Sequence, residues 1–131
     1  MRKDIEFPVV KDVYVAAVKE WNDDFTSHDW NTYLINTSEN NLEVVIVVSR
    51  GYDDNRKTAI LRHGFGTVPS KTFQKIEMIT DEVLSFTNEF MLTYFIGDRL
   101  FEKTFRFAPY SINDKNAEMI PLMKTEGIIA K

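Results

Sequence analysis

The amino-acid sequence predicts an all-β sandwich of about seven antiparallel strands, and three observations carry that expectation. Short runs rich in β-branched and aromatic residues recur along the chain, and clusters of turn-forming residues separate them. No stretch has the apolar spacing of an amphipathic helix of useful length. The third observation is size: 131 residues make one domain, and 44% hydrophobic with 13% aromatic content supplies a core without staples. An up-and-down or OB-like barrel is the alternative the same pattern allows.

The first strand is Val13 to Trp21 (VYVAAVKEW), mostly small or β-branched, with Lys19 and Glu20 near its end. In Trp30 to Thr37 (WNTYLINT), the period of two puts Trp30, Thr32 and Leu34 on one face and Tyr33 and Ile35 on the other. Leu42 to Ser49 (LEVVIVVS) holds the densest β-branched run. It is apolar on both faces, which predicts a central strand covered on both sides. Thr58 to His63, Phe73 to Ile79, Phe90 to Ile96 and Leu100 to Phe107 complete the set. In the last, Phe101, Phe105 and Phe107 share a face broken only by Lys103, opposite Glu102, Thr104 and Arg106.

Thr37 to Asn41 and Gly51 to Asn55 are polar breaks rich in turn formers. Val68 to Lys71 is a third break, because Pro69 has no ladder donor. Gly97-Asp98 predicts a two-residue hairpin of the II′ or I′ kind. Gly64 and Gly66 predict a bulge or tight bend. Asp81 to Asn88 allows a short helical turn capped by Thr80 or Asp81, with Val83, Leu84 and Phe86 tucked beneath the sandwich. After Pro109 the pattern fades to one or two helical turns over Ser111 to Met119 and irregular chain at Ile120-Pro121-Leu122. The expected organisation is a single domain, 1–131, with its strand core at about 13–107 and a short C-terminal extension at 108–131.

Composition removes several kinds of chemistry. With no cysteine there is no disulfide, thiolate nucleophile or Cys-ligated zinc, which suits a cytoplasmic address. No apolar run reaches the roughly 18 residues of a membrane-spanning helix, and MRKDIEFPVV lacks the layout of a signal peptide. The only imidazoles are His28 and His63, and there is no GxSxG elbow. Thr26-Ser27-His28-Asp29 cannot form a triad as strand neighbours, since adjacent residues face opposite ways. No acidic stretch has the spacing of a calcium loop. The expectation is no catalytic residue, no metal and no cofactor.

Charge is unevenly spread over the formal total of −4: residues 1–49 are net −5, 50–76 are net +4 and 77–131 are net −3. The basic middle is either a patch or a pair of edge strands whose charges block edge-to-edge pairing. Within it, Arg62-His63-Gly64-Phe65-Gly66-Thr67-Val68 echoes the RNA-recognition pattern of alternating glycine and aromatic residues. The echo fails at Thr67, and the negative net charge argues against a large phosphate footprint.

The stretches Val18-Lys-Glu-Trp-Asn22, Tyr33-Leu-Ile-Asn36, Val47-Val-Ser-Arg-Gly51, Leu61-Arg-His63, Lys75-Ile-Glu77, Asn88-Glu-Phe90 and Thr93-Tyr-Phe-Ile96 resemble an uncharacterised family of small bacterial all-β proteins of this length. Some members carry the label phenylalanyl-tRNA synthetase alpha subunit. A chain of 131 residues, mostly strand, has no room for the ATP and amino-acid sites of such an enzyme. Asn36 to Leu42, followed by VVIVVSRGYD and VPSKTFQKIE, also resembles the immunoglobulin-like modules of many bacterial proteins, without the cysteine pair of antibody domains.

The resemblance implies an immunoglobulin-like β-sandwich. The expected function is a non-catalytic protein-interaction module that binds a protein partner or itself through a strand edge or the basic middle. Arg50, Arg62, His63 and Phe65 are the candidate binding residues, as the densest mix of basic, imidazole and aromatic groups. Two alternatives belong to other classes: an RNA- or tRNA-associated accessory domain, and a small hydrolase or isomerase using His63 with a carboxylate.

Overall fold

A computed structural model describes residues 8–131. The reading of the opening residues as lacking a signal peptide falls largely on 1–7, outside the described residues. Nine strands form: β1 (Val13–Trp21), β2 (His28–Asn36), β3 (Leu42–Tyr52), β4 (Leu61–Val68), β5 (Thr72–Ile79), β6 (Thr87–Ile96), β7 (Arg99–Phe107), β8 (Glu118–Ile120) and β9 (Thr125–Ile129). They make two antiparallel sheets, ordered β5-β2-β1-β9-β8 and β4-β3-β6-β7. The chain is an all-β sandwich.

Period-two alternation builds the core between the sheets. Val15, Ala17 and Leu34 point inward from one sheet, and Val45, Val47, Phe90, Leu92, Tyr94, Phe105 and Phe107 from the other, all nearly inaccessible to water. Each large side chain so buried contributes about 1.5–3 kcal/mol. Phe90 meets Phe107 edge-on at 5.8 Å between centroids, and Tyr94 stacks on Phe101 at 5.1 Å. Burial pushes the Tyr94 hydroxyl up to about 12.

Turn chemistry follows the sequence closely. Gly97 has φ 60°, whereas Asp98 is not left-handed, so the β6–β7 hairpin turns in the II′ sense. The register of β4 on β3 steps from Val45↔Gly66 to Ile46↔Gly64, so Phe65 is the extra residue of a bulge. Gly66, at φ 64°, supplies the backbone that this bulge needs. Asn36, fully buried, donates to the carbonyls of Asn40, Val68 and Pro69 and so ties the β2–β3 turn to the β4–β5 turn. A 3-10 turn at Asp81–Val83 carries Phe86 into the core, although Thr80 makes no side-chain cap.

Three elements differ from expectation. First, the fourth strand runs Leu61–Val68, not from Thr58. Thr58 is held off the ladder because its amide and hydroxyl bind Gly51 instead, each at 2.8 Å. Second, the C-terminal segment is not irregular: after one 3-10 turn at Asp114–Asn116, capped by the Asn113 side chain, it forms β8 and β9. β9 pairs with β1 through Ala16↔Ile129 and Val18↔Gly127, a partner far away in sequence that local pattern does not reveal.

Third, the strand covered on both faces is β1, not β3. Ala16 and Val18 point away from the main core and are sealed by Ile35 and Ile120, with Tyr14, Tyr33, Met123 and Ile129 around them. The C-terminal hairpin thus completes a second, smaller core on the outside of the five-stranded sheet. β3 lies between β4 and β6 but has only one covered face; Ile46 and Val48 on the other are part-exposed.

Candidate functional site

The outer face of the four-stranded sheet can be assembled row by row from the register. Arg50, Glu89 and Arg106 stand abreast on β3, β6 and β7. The next row is Arg62, Val48, Met91 and Thr104, then Gly64, Ile46, Thr93 and Glu102, then Glu43, Phe95 and Leu100. Apolar Val48, Met91 and Ile46 thus run through the middle rows beside Arg62, Thr104, Thr93 and Glu102, with Arg50 and Arg106 in the first row and Glu43 in the last. Met91 is 41% exposed, and Ile46, Val48, Phe95 and Leu100 are part-exposed.

The arginine end is a built network. Arg50 Nε donates to Glu89 Oε2 at 2.8 Å, Arg106 Nε to Oε1 at 3.1 Å, and the Tyr52 hydroxyl reaches Oε1 at 3.3 Å. The Arg50 guanidinium also lies over the Tyr52 ring, 5.1 Å from its centroid. Burial works to raise the pKa of Glu89, but the Arg50 hydrogen bond, the charges of Arg50 and Arg106, and Tyr52 outweigh it. Glu89 is held below the usual carboxylate range.

A carboxylate with a depressed folded-state pKa stabilises the fold above its unfolded pKa, and that stability is lost as pH falls through the folded value. Glu89→Gln is expected to cost roughly 1–2 kcal/mol at pH 7. In urea unfolding followed over pH 7 to 2.5, that difference should shrink as Glu89 itself protonates.

The four residues singled out in the sequence do not converge. Arg50 and Arg62 lie on the outer face, whereas His63 and Phe65 flank the intervening Gly64 on the opposite parity and stack in parallel at 5.9 Å. Three of the six cations of the basic middle segment are paired with acids. Arg50 pairs with Glu89, Arg56 with Asp53 and Lys71 with Glu39. β4 and β5 are edge strands of different sheets, which supports the solvated-edge reading of their charges.

His63 does meet a carboxylate, Glu77 of β5. A register shift against β2 sends Thr32↔Glu77 to Tyr33↔Lys75 and leaves Ile76 as the extra residue. Ile76 is consequently buried in the core while the adjacent Glu77 also reaches across to the facing sheet. Ser49 Oγ donates to Glu77 Oε1 at 2.6 Å, and His63 Nε2 lies 2.7 Å from the same oxygen. A nucleophilic triad needs the imidazole between serine and acid. Here the acid stands between serine and imidazole, so the order of that triad is not formed, and the trio ties the two sheets together. Among the described residues, no three His, Asp or Glu side chains gather as a metal site.

Glu77, Ser49, Glu89 and Met91 were not among the sequence candidates. For the last two a signal existed: on β6, Glu89, Met91, Thr93 and Phe95 alternate with the inward Phe90, Leu92 and Tyr94. Glu77 had none, because the bulge that turns it inward depends on pairing with β2. Comparison with protein families, with curated proteins and with solved structures finds nothing that matches this chain.

Proposed function

We propose that the chain is a non-catalytic interaction module that pairs with a second copy of itself through the outer face of its four-stranded sheet. The observation that carries this reading is a contrast between the two sheets. Around β1 the apolar outside of the five-stranded sheet is covered by the chain's own C-terminal hairpin, leaving Phe73 and Met78 exposed on edge strand β5, whereas the apolar side chains at the middle of the other sheet have no such cover among the described residues. A solvated sheet face would alternate to polar residues there.

Charge selects the occupant. A two-fold axis lying across the strands near Val48 and Met91 brings Arg106 of one copy towards Glu102 of the other. Such an isologous contact satisfies this unlike pair twice. A sheet of four strands is about 19 Å wide and eight residues run about 27 Å, so the interface lies at the low end of stable sizes. The strand order β5-β2-β1 against β4-β3-β6-β7 also supports an immunoglobulin-like sandwich, as E-B-A against C′-C-F-G, with β8 and β9 added beyond the first strand.

Met91→Lys tests the reading, since Met91 is exposed enough to change without disturbing the core. Sedimentation velocity over a 1–200 μM series should show a concentration-dependent dimer for the parent protein and monomer alone for the variant. A parent that stays monomeric throughout contradicts the proposal.

A further inference from the structure

A second feature of the sandwich is independent of that face. Where β3, β5 and β6 open towards one end, a cleft of about 220 Å³ runs between the sheets. Leu61, Ile79, Val83 and Phe90 provide apolar wall, and Ser49, Glu77 and Asn88 provide polar groups. We infer that this cleft binds a small primary ammonium compound with a short apolar body.

The chemistry of the lining selects that class. Glu77 uses only Oε1 for Ser49 and His63; among the described residues no donor reaches Oε2. No lysine or arginine pairs with this carboxylate, whose contacts are Ser49 and His63.

Asn88 provides the second acceptor. Its side chain is 7% exposed, and its amide nitrogen donates to the carbonyls of Val83 and Phe86. Its Oδ1 has no donor among the described residues and faces Gly51, where a Cβ would stand 3.2 Å away. A buried amide oxygen without a donor is an acceptor awaiting one. Arg50 also borders the cleft, but its guanidinium is engaged by Glu89 on the outer face. Between the sheets, the unpartnered polar atoms of Glu77 and Asn88 are both acceptors, one of them a carboxylate oxygen, and an ammonium supplies three donors and the opposite charge.

Size limits the body. The cleft is smaller than the roughly 300 Å³ at which sites for drug-sized ligands begin, so a short alkyl chain fits and a nucleotide or sugar chain does not. The apolar wall takes the alkyl part, and the carboxylate and amide take the head.

The test titrates n-butylammonium chloride into the ¹⁵N-labelled protein at pH 7, with 1-butanol and sodium butyrate as neutral and anionic counterparts. Saturable amide shifts are expected at Gly51, Thr58, Glu77 and Asn88, with millimolar affinity, and at least tenfold weaker binding of both counterparts. Glu77→Gln, which keeps an oxygen for Ser49 and His63, should weaken butylammonium at least tenfold while the spectrum stays dispersed. Leu61→Trp, placed at a half-exposed lining position, should block the cleft without touching the polar groups. Absence of saturable shifts at those amides overturns the inference. So does equal binding of butanol, or indifference to both substitutions.

Discussion

Gly127→Ala is expected to cost at least about 2 kcal/mol of stability, a large penalty for a single added methyl group. Gly127 sits on β9 opposite Val18 of β1, where the C-terminal hairpin closes on the sheet. A Cβ there would run into the backbone carbonyl oxygen of Ala17, with Ile120 Cγ1 at 3.1 Å and Val18 Cγ2 at 3.2 Å beyond it. A side chain can rotate away from such a clash; a ladder carbonyl cannot. Relief therefore requires β9 to separate from β1, which reopens the small core of Ala16, Val18, Ile35 and Ile120. Thermal unfolding by circular dichroism should show a midpoint lower by about 6–10 °C. Gly64→Ala, where a Cβ would meet nothing within 4 Å, serves as the comparison and should move the midpoint far less.

Glu77 gives the second large effect. Glu77→Ala removes the one oxygen that accepts from both the buried Ser49 hydroxyl and the part-exposed His63, leaving the Ser49 hydroxyl unsatisfied between the sheets and His63 without its partner. The loss is about 2 kcal/mol. Glu77→Gln keeps an oxygen acceptor in the same place and should cost under about 1 kcal/mol. Urea unfolding midpoints of the two variants distinguish the explanations. A wide gap marks a hydrogen-bonded tie, whereas equal losses would mean that the charge itself holds the sheets.

Much of this fold is legible in the sequence because its information is local. The runs at Val13, Leu42, Phe73, Phe90 and Leu100 all became strands, and Gly97-Asp98 turned as a two-residue hairpin. Alternation on Leu100 to Phe107 also held: Phe105 and Phe107 are buried, while Glu102 and Arg106 are exposed. What escaped depends on distant partners. Glu118–Ile120 and Thr125–Ile129 are too short to announce themselves, and they become strands because β1 offers a free edge. β1 is apolar on both faces because that hairpin covers the outer one.

The candidate site was legible in part for the same reason. Arg50 and Arg62 share a face because their strands pair in register, and two-residue periodicity finds that face once the pairing is known. His63 and Phe65 left it by the same rule. The tie through Glu77 needed a bulge on β5, which no local pattern of Lys75, Ile76 and Glu77 discloses.

Self-pairing through the four-stranded sheet is tested most directly by mixing two variants. Glu102→Arg and Arg106→Glu should each remain monomeric alone, because an isologous interface then sets like charges against each other twice. Mixed in equal amounts, the two should sediment as a heterodimer, since both contacts between positions 102 and 106 become attractive again. Recovery of the dimer only in the mixture is the expected result. Two variants that dimerise as well separately as the parent, or that stay monomeric when mixed, would contradict it.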